Sequence, residues 1–457
     1  MNRIVAGPGQ TFPSREVSTA FNFQALHKAL PERYPFLLQS SAIGRDRGRF
    51  DILFAFPGQS LTLVGLSEIV GPGNVDSVDF LDCLDSWWRR ERCDIGYTGL
   101  PFHGGWFLYL GYELAAQIEP TLNLQADPVL PTAFAVRCPA AFVRDHRTGK
   151  TFAVCESGDA DQIESMCMDA ASADAQFLAD TVTVAVEATE EQPVHFLNAV
   201  RRAKEHIAAG DIFQANLSRS WRAVADEDLI AGDVYSRLCA SNPAPFAGIA
   251  HWADTAIISS SPERLVSVRN GMVSTRPIAG TRPRGSGLSS DNAMADELFD
   301  HPKERAEHVM LIDLERNDLG RVCEPGSVEV DEFMVLESYA HVHHIVSNVS
   351  GKLREDVTPG QTIRAVFPGG TITGCPKVRC MEIIGNLERR PRGAYTGSFG
   401  YLNRDGSMDL NILIRTMVMT DKQIEFKAGS GIVADSDPEA ELAESRAKAK
   451  GMLMALN

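Results

Sequence analysis

The chain has 457 residues and a formal net charge of −16, with 44% hydrophobic and 23% charged residues. This length can bury a large core, and the composition is that of an ordinary globular protein. The acidic balance disfavours nucleic acid and anionic membrane surfaces as partners. No apolar run reaches the roughly 18–20 residues of a membrane span, and the first residues contain no apolar signal core. The nine cysteines show no C-x-x-C spacing, so we expect reduced thiols and a cytoplasmic location.

Three regions differ in pattern along the chain. Residues 1–156 are predicted to form strands and short helices, from runs such as FDILFAF, LTLVGL and GGWFLYLGYEL. Residues 157–193 are rich in small and acidic residues, and we interpret them as a linker or surface excursion that contains one helix. From 194 to 457, strand and helix signals are dense again, and the motifs that could carry catalysis lie in this region.

Turn and cap residues place several elements in the last region. VHFLNAVRRAKEHIAAGD predicts an amphipathic helix that ends at Gly210. Asn270-Gly271 predicts a hairpin turn. The segment after residue 393 predicts three antiparallel strands, with turns at 405–406 and 421–422. Runs of strands and then of helices indicate an α+β fold.

Two predicted helices each carry a pair of glutamates three residues apart. Glu304 and Glu307 lie in HPKERAEHVMLIDLERNDLGR, whereas Glu441 and Glu444 lie in DSDPEAELAESRAKAKGMLMAL, followed by Lys448. Residues i, i+3 and i+7 share one helix face. If the two helices faced each other, a hard dication such as Mg²⁺ would relieve the repulsion among four carboxylates. Taken alone, each pair is also typical of a solvated helix face.

Two segments near the C-terminus are candidates for binding an anion. In AGSGIV, the residues Gly429, Ser430 and Gly431 follow one another, and their amides predict either an anion-binding nest or a tight turn without a ligand. Arg415 ends the alternating run DLNILIRT. Its guanidinium group suits two-point contact with a carboxylate.

Three further side chains are candidates for contact with a reacting group. His344, in HVHHIVS, is predicted on the opposite strand face from His343 and could act as an acid, a base or a hydrogen-bond donor. Thr371 lies in the glycine-rich FPGGTITGCPK, which lacks the Gly-Lys-Ser/Thr of a Walker loop. Glu263 follows a strand and a proline turn in SSSPERL.

Together these segments resemble the chorismate-utilising enzymes, a family that includes anthranilate synthase component I, aminodeoxychorismate synthase component I, isochorismate synthase and salicylate synthase. The resemblance is strong over about 195–455 and weaker before it. It rests on motifs in chain order: PIAGTRPRG, ERAEHVMLIDLERNDLGRV, HVHHIVS, FPGGTITGCPKVRCMEIIG, GAYTGSFGYL, LNILIRT, AGSGIVADSDPEAE and ESRAKAKG. It implies two large antiparallel β-sheets packed around a central active site, with helices outside.

The resemblance also implies roles for individual residues. It implies Mg²⁺ on Glu307 and Glu444, with Glu304 and Glu441 beside or behind them. It implies that the carboxylates of chorismate are bound by the amides of 429–431 and by Arg415, Tyr395 and Lys448. His344 and Thr371 would lie close to the ring or its enolpyruvyl group, and Glu263 would protonate the departing hydroxyl.

Within the family, the motifs favour an ammonia-using member. PAPF (243–246), SSSPERL (259–265) and RFDI (49–52) are more similar to aminodeoxychorismate synthase component I than to anthranilate synthase. The resemblance therefore implies a transaminase-class synthase that converts chorismate and ammonia to 4-amino-4-deoxychorismate, for p-aminobenzoate and folate synthesis. Ala279 stands where some aminodeoxychorismate synthases carry a lysine proposed as a covalent nucleophile. Because anthranilate synthase has alanine there, anthranilate synthase component I is the alternative, and a non-catalytic subunit that retains the fold is a remote one.

The resemblance bears on two partners. No cysteine nucleophile elbow of a glutaminase is present, which implies a separate glutamine amidotransferase subunit as the source of ammonia. PFLLQSSA (35–42) resembles the region that binds tryptophan in both ammonia-using groups, so a bound tryptophan is expected near Leu38–Ser40.

Overall fold

The computed structural model describes residues 13–18, 21–41, 48–72, 77–93, 99–156, 160–176, 186–225, 229–284, 287–338 and 342–457. The helices of these residues are α1 Phe23–Ala29, α2 Phe80–Glu91, α3 Ala115–Ile118, α4 Ala160–Gln176, α5 Pro193–Ala208, α6 Ala231–Ser241, α7 Leu288–Asp300, α8 Pro302–Gly320, α9 Pro359–Val366, α10 Lys377–Glu388 and α11 Pro438–Leu456. None of them is long and apolar enough to cross a membrane.

The strands of the described residues are β1 Ser14–Val17, β2 Phe36–Gln39, β3 Phe50–Ala55, β4 Ser60–Val64, β5 Glu68–Val70, β6 Gly105–Leu110, β7 Ala133–Cys138, β8 Ala140–Asp145, β9 Lys150–Cys155, β10 Ala188–Glu190, β11 Gln214–Val224, β12 Phe246–Trp252, β13 Thr255–Ser261, β14 Arg264–Arg269, β15 Met272–Thr275, β16 Ile278–Pro283, β17 Glu329–Ser338, β18 Val342–Lys352, β19 Gly374–Cys375, β20 Ser398–Asn403, β21 Met408–Asn411, β22 Thr416–Thr420 and β23 Gln423–Ile432.

These strands form two large antiparallel sheets. The first has the order β1-β9-β8-β3-β2-β12-β13-β22-β23-β11-β10, with β19 also paired to β11. The second has the order β16-β18-β15-β14-β21-β20-β6-β7-β4-β5, with β17 also paired to β18. Both sheets contain strands from the region before residue 156 and from the region after residue 194. The two regions therefore share their sheets rather than building separate cores.

The sheets face each other across an aromatic core, and helices cover their outer faces. Phe36 of β2 stacks on Phe107 of β6, with ring centroids 4.1 Å apart, and Phe54 meets Phe107 edge to face. On the outer face of the first sheet, buried side chains of α1, α4, α6 and α11 pack against the strands. Side chains of α2, α8 and α9 do the same on the second. This confirms the α+β fold with two antiparallel sheets and external helices.

Local signals are confirmed at several turns and helix ends. Asn270 and Gly271 both have positive φ, at 52° and 74°, as a tight hairpin between β14 and β15 requires. Gly210 has φ 79° just after α5 ends. The segment 157–193 contains α4 and also β10, which forms an edge of the first sheet through pairing with β11.

The region after residue 393 differs from the prediction. It contains four strands, not three, because the apolar run DLNILIRT is interrupted. Arg415 has φ 52°, a left-handed conformation that ends the extended chain between β21 and β22. The interruption sends β21 into the second sheet and β22 into the first.

Candidate functional site

Two chain segments that pass from one sheet to the other lie side by side, and they contain Glu263 and Arg415. The chain leaves the first sheet at the end of β13 and enters the second at β14, and Glu263 lies between them. It returns from β21 to β22 through the segment that contains Arg415. The crossings are joined by hydrogen bonds: Ile412 N donates to the Glu263 carbonyl oxygen at 3.0 Å, and Ser261 Oγ donates to the Ile412 carbonyl oxygen at 2.5 Å. The fold therefore brings an acid and a cation together where the two sheets meet.

Glu263 is a buried carboxyl, 5% exposed. Its pKa is raised to about 7, chiefly by burial and in part by the negative charge of Glu315. The nearby Thr371 hydroxyl, the Ile278 amide and Arg415 act in the opposite direction. Glu263 Oε1 has no hydrogen-bond partner among the described residues. Such a carboxyl can hold a proton near neutral pH and deliver it to a bound group.

Arg415 lies next to Tyr395 and Glu263. Desolvation lowers the pKa of its guanidinium, and the charges of Tyr395, Glu263 and Glu444 oppose that shift. Within the described part of the chain, no ion pair involves its side chain. Tyr395 is 7% exposed, and burial raises the pKa of its phenol to about 12, so its hydroxyl remains a donor. A partly desolvated cation beside a phenol donor is suited to a carboxylate ligand.

Ala279 and His344 lie on neighbouring strands at a bulge. Ala279 pairs with Ile345, Thr281 pairs with His344, and Gly280 is the extra residue between them, with φ 67°. His344 Nδ1 donates to the Gly280 carbonyl oxygen at 3.3 Å. Burial lowers the pKa of His344 to about 4, so the imidazole is neutral at physiological pH. Ala279 is 6% exposed. His343 has a different environment, between Ser338 Oγ and Asp291 Oδ1.

Thr371 lies in a short 3₁₀ turn, Gly370–Ile372, ahead of α10. Asn216 Nδ2 donates to the Thr371 carbonyl oxygen at 3.4 Å, and an Arg392 nitrogen donates to the Ile372 carbonyl oxygen at 3.1 Å. The Thr371 hydroxyl is buried without a hydrogen-bond partner among the described residues. The turn thus holds a donor beside Glu263 that a bound molecule can use.

The four predicted glutamates lie in the first two turns of α8 and α11. Both helices begin at proline, and Asp437 caps α11 by accepting from Ala440 N at 2.9 Å. Glu307 accepts from Gln214 Nε2 at 2.8 Å. Glu304 pairs with Arg282 at 3.3 Å, and Glu444 pairs with Lys448 at 2.7 Å.

Glu441 differs from the other three glutamates. It is 8% exposed, and its Oε2 atom has no hydrogen-bond partner among the described residues. Within the described ranges, no three acidic, histidine or cysteine side chains converge where they could share a metal ion. The orphaned oxygen and the hard carboxylate donors nevertheless suit a dication chemically.

Comparison with known proteins decides the family. The sequence profile described as chorismate binding enzyme matches residues 72–454. Aminodeoxychorismate synthase component 1 of Bacillus subtilis is 37% identical over 94% of this chain and 96% of its own length. Anthranilate synthase component 1 of Aquifex aeolicus is 37% identical over 93% of this chain and 89% of its own length. The crystal structure of anthranilate synthase component I from Streptococcus pneumoniae has a TM-score of 0.79 at 32% identity, and covers 90% of this chain and 93% of that one.

The chain belongs to the chorismate-binding enzymes. It is therefore a chorismate-utilising enzyme, and the matched region runs across the boundary at residue 156 that the composition suggested. The two 37% relatives carry different names, so they show the family and not the particular member.

Residues 429–431 of this chorismate-binding enzyme do not form the loop-type nest considered from the sequence. They lie inside β23 and pair with β11, with Gly429 opposite Ser218 and Gly431 opposite Asn216. Lys448 Nζ donates to the Gly429 carbonyl oxygen at 3.1 Å. In an antiparallel strand the N–H and C=O of one residue point to the same side, so the Gly429 amide also faces away from β11. The backbone groups of residues 429–431 are thus positioned by strand pairing and not by a turn.

Gln214 is a site residue that sequence reasoning missed. It is 3% exposed, donates to Glu307, and its Oε1 has no hydrogen-bond partner among the described residues. A Cβ on Gly431 would lie 2.4 Å from Gln214 Nε2, so a larger residue there would displace the Gln214 amide. The sequence offers no clear signal for it, because Gln214 begins a strand that contains several other polar residues.

A cavity of about 350 Å³ lies near the predicted tryptophan region. Leu38 and Gln39 line it, together with Pro262 and Ile278. The latter two directly adjoin Glu263 and Ala279 in sequence. Two backbone segments therefore contribute residues both to the wall of the cavity and to the site.

Proposed function

We propose that this chain is component I of an aminodeoxychorismate synthase, which replaces the ring hydroxyl of chorismate with ammonia. The observation that carries the proposal is Glu263, a buried carboxyl with a pKa of about 7, placed beside the desolvated guanidinium of Arg415. The first can act as an acid and the second can bind a substrate carboxylate. The 37% identical aminodeoxychorismate synthase component 1 supports this assignment over nearly the whole chain.

In the proposed reaction, Glu263 donates its proton to the departing hydroxyl of the ring. The ring C–O bond breaks and water leaves, while ammonia forms the new C–N bond and then loses one proton to solvent or to the Glu263 carboxylate. Arg415, Tyr395 and Lys448 would bind the two carboxylates of chorismate. Neutral His344 would act as a hydrogen-bonding group, since its low pKa disfavours a role as a cation.

We also propose a Mg²⁺ requirement. Glu307 and Glu444 would hold the ion, with Glu304 and Glu441 beside or behind them. Bound Mg²⁺ would offset the charge of these carboxylates and of the anionic substrate. The orphaned Oε2 of Glu441 supports this part of the proposal, since a buried carboxylate oxygen needs a partner.

Ammonia would be delivered by a separate glutamine amidotransferase subunit, because the sequence contains no glutaminase nucleophile elbow. We expect the purified chain to consume chorismate with Mg²⁺ and ammonium, but not with glutamine alone. Liquid chromatography of the products tests this directly. Glutamine-dependent turnover by the isolated chain would contradict the proposed division of labour.

Anthranilate synthase component I is the second candidate. Ala279 favours it, because the resemblance places alanine there in anthranilate synthase, and the relatives of that name are equally similar. The same product analysis separates the candidates: 4-amino-4-deoxychorismate supports the first, whereas fluorescent anthranilate with pyruvate supports the second. The absence of any product would contradict both.

We propose that the cavity near Leu38 holds a tryptophan. Its apolar wall of Leu38, Ile52 and Phe246 suits an indole ring. Native mass spectrometry of the purified protein, with and without added tryptophan, tests this. A Leu38→Arg variant should lose the bound ligand, and binding unchanged by that substitution would place tryptophan elsewhere.

A further inference from the structure

Glu315 is a buried acid for which the proposed reaction has no use. It lies in α8, about two turns after Glu307, and is 6% exposed. Its pKa is raised to about 7, chiefly by burial and in part by the negative charge of Asp318, whereas Lys377 opposes the shift. Burying a carboxyl group destabilises a folded protein unless hydrogen bonds or charges compensate for the lost solvation. Carboxyl groups with strongly shifted pKa values are therefore often found at functional sites.

Glu315 supports the turn that carries Thr371. The Gly370 amide donates to Glu315 Oε1 at 3.4 Å. A Cβ on Gly370 would lie 2.5 Å from Leu314 Cδ2 and 3.2 Å from Glu315 Oε1, so a larger residue would have to displace these side chains of α8. Glu315 thus contacts the residue immediately before Thr371, on the helix side of the turn.

A salt bridge anchors the same helix end. Lys377 pairs with Asp318, one turn after Glu315, and also donates to the Val366 carbonyl oxygen at 3.3 Å. Lys377 begins α10, directly after the glycine-rich loop. Both ends of the loop are therefore tied to α8, by Glu315 at Gly370 and by Asp318 at Lys377.

Glu315 is also the one carboxylate among the groups that shift the pKa of Glu263. The other groups that face Glu263 are Arg415, the Thr371 hydroxyl and the Ile278 amide, and all three favour its ionised form. Like charges in a low-dielectric site disfavour double ionisation. Glu315 therefore acts on Glu263 in the direction that a proton donor requires.

We propose that Glu315 is a positioning residue for the reaction: from behind the glycine turn it holds Thr371 beside Glu263, and it is a second buried carboxyl group at that site. This inference rests on the proposed role of Glu263 as the acid. It assigns a function to Glu315, which lies in the same helix as Glu304 and Glu307, the two glutamates proposed to lie at the Mg²⁺ site.

Glu315→Gln tests the electrostatic part, because glutamine keeps an oxygen for the Gly370 amide and removes the charge. Since an acid must be protonated to act, the rate falls as pH rises through the pKa of Glu263. Loss of the neighbouring charge moves this fall to lower pH. At pH 8 the variant should then be several-fold slower than the wild type, with little difference at pH 6, where Glu263 is protonated in both proteins.

Asp85→Asn is the matched control. Asp85 is another buried carboxylate that accepts a glycine amide, from Gly360 at 2.7 Å, but it lies between α2 and α9 and does not shift the pKa of Glu263. Its pH profile should coincide with that of the wild type. A Glu315→Gln profile that also coincides, or that is lowered equally at every pH, would overturn the proposal.

A second measurement separates this inference from the proposed function. Infrared difference spectroscopy follows the protonated carboxyl band of buried acids during a pH titration, without substrate, and Glu263→Gln identifies the band of Glu263. In Glu315→Gln this band should disappear at lower pH than in the wild type. An unmoved band refutes the coupling even if the enzyme is active. A shifted band in a protein that does not consume chorismate refutes the function and leaves the coupling intact.

Discussion

Arg415→Met should weaken substrate binding without destabilising the fold. Its guanidinium has no ion pair in the described chain, and desolvation lowers its pKa, so the charged form is disfavoured in the absence of a ligand. Methionine removes this cost and fills similar space. Activity should still fall, because a substrate carboxylate would lose its charged partner. Losing such a contact costs about 2–5 kcal/mol, which corresponds to a roughly 30- to 5,000-fold lower kcat/KM.

Arg392→Met is the control that makes this prediction specific. Arg392 is 3% exposed and donates five hydrogen bonds, to both oxygens of Glu388 and to three other residues. Breaking a buried pair of this kind costs about 3–5 kcal/mol. For a chain of this length the unfolding entropy is about 1 kcal/mol/K, so Tm should drop by about 3–5 °C.

Scanning calorimetry and steady-state kinetics on the two variants provide the assay. We expect Arg415→Met to unfold at or above the wild-type temperature while kcat/KM collapses, and Arg392→Met to unfold earlier. If Arg415→Met loses as much thermal stability as Arg392→Met, Arg415 is a structural residue and the reasoning is wrong. The same conclusion follows if its kcat/KM is unchanged.

Three further predictions concern the acid, the metal and the alanine. The pKa of Glu263 is raised from 4.5 to about 7 in the folded chain, so its contribution to stability is lost as pH rises across that interval. In urea titrations, the free energy of unfolding of Glu263→Gln should therefore fall less between pH 5 and pH 8 than that of the wild type; equal losses would contradict the assigned pKa. Because the variant lacks the acid, its kcat should also fall at least about 100-fold. Glu307→Gln and Glu444→Gln should each raise the Mg²⁺ concentration needed for half-maximal activity, and calorimetric titration with Mg²⁺ should show weaker binding; an unchanged Mg²⁺ dependence would disprove these ligands. Incubation of the wild type with chorismate and Mg²⁺ but no ammonia should yield no covalent adduct by intact mass spectrometry, whereas Ala279→Lys should admit an adduct or water addition; if it yields neither, residue 279 is not in contact with the ring.

Local structure was predictable from the sequence because its causes lie within a few residues. Pro438 and the Asp437 cap define the start of α11, and Asn270-Gly271 defines a hairpin, whatever the rest of the chain does. Spacing along a helix likewise places Glu441, Glu444 and Lys448 on one face. The two-sheet architecture was expected from the motifs as a resemblance, and the structure confirms it.

The partners of the site residues were decided only by the tertiary structure. Glu304 pairs with Arg282 and Glu307 with Gln214, across 22 and 93 positions of the chain. No local pattern encodes contacts of that range, because they depend on how two sheets and a helix meet.

The same reason explains the backbone at the site. The run DLNILIRT has the alternation of one continuous strand. Arg415 nevertheless has a left-handed backbone conformation, because the strands before and after it belong to different sheets. Residues 429–431 look like a turn from their composition, yet β11 pairs with them along their whole length. Chain propensity is worth a few tenths of a kcal/mol per residue, and the hydrogen bonds and burial supplied by distant strands outweigh it.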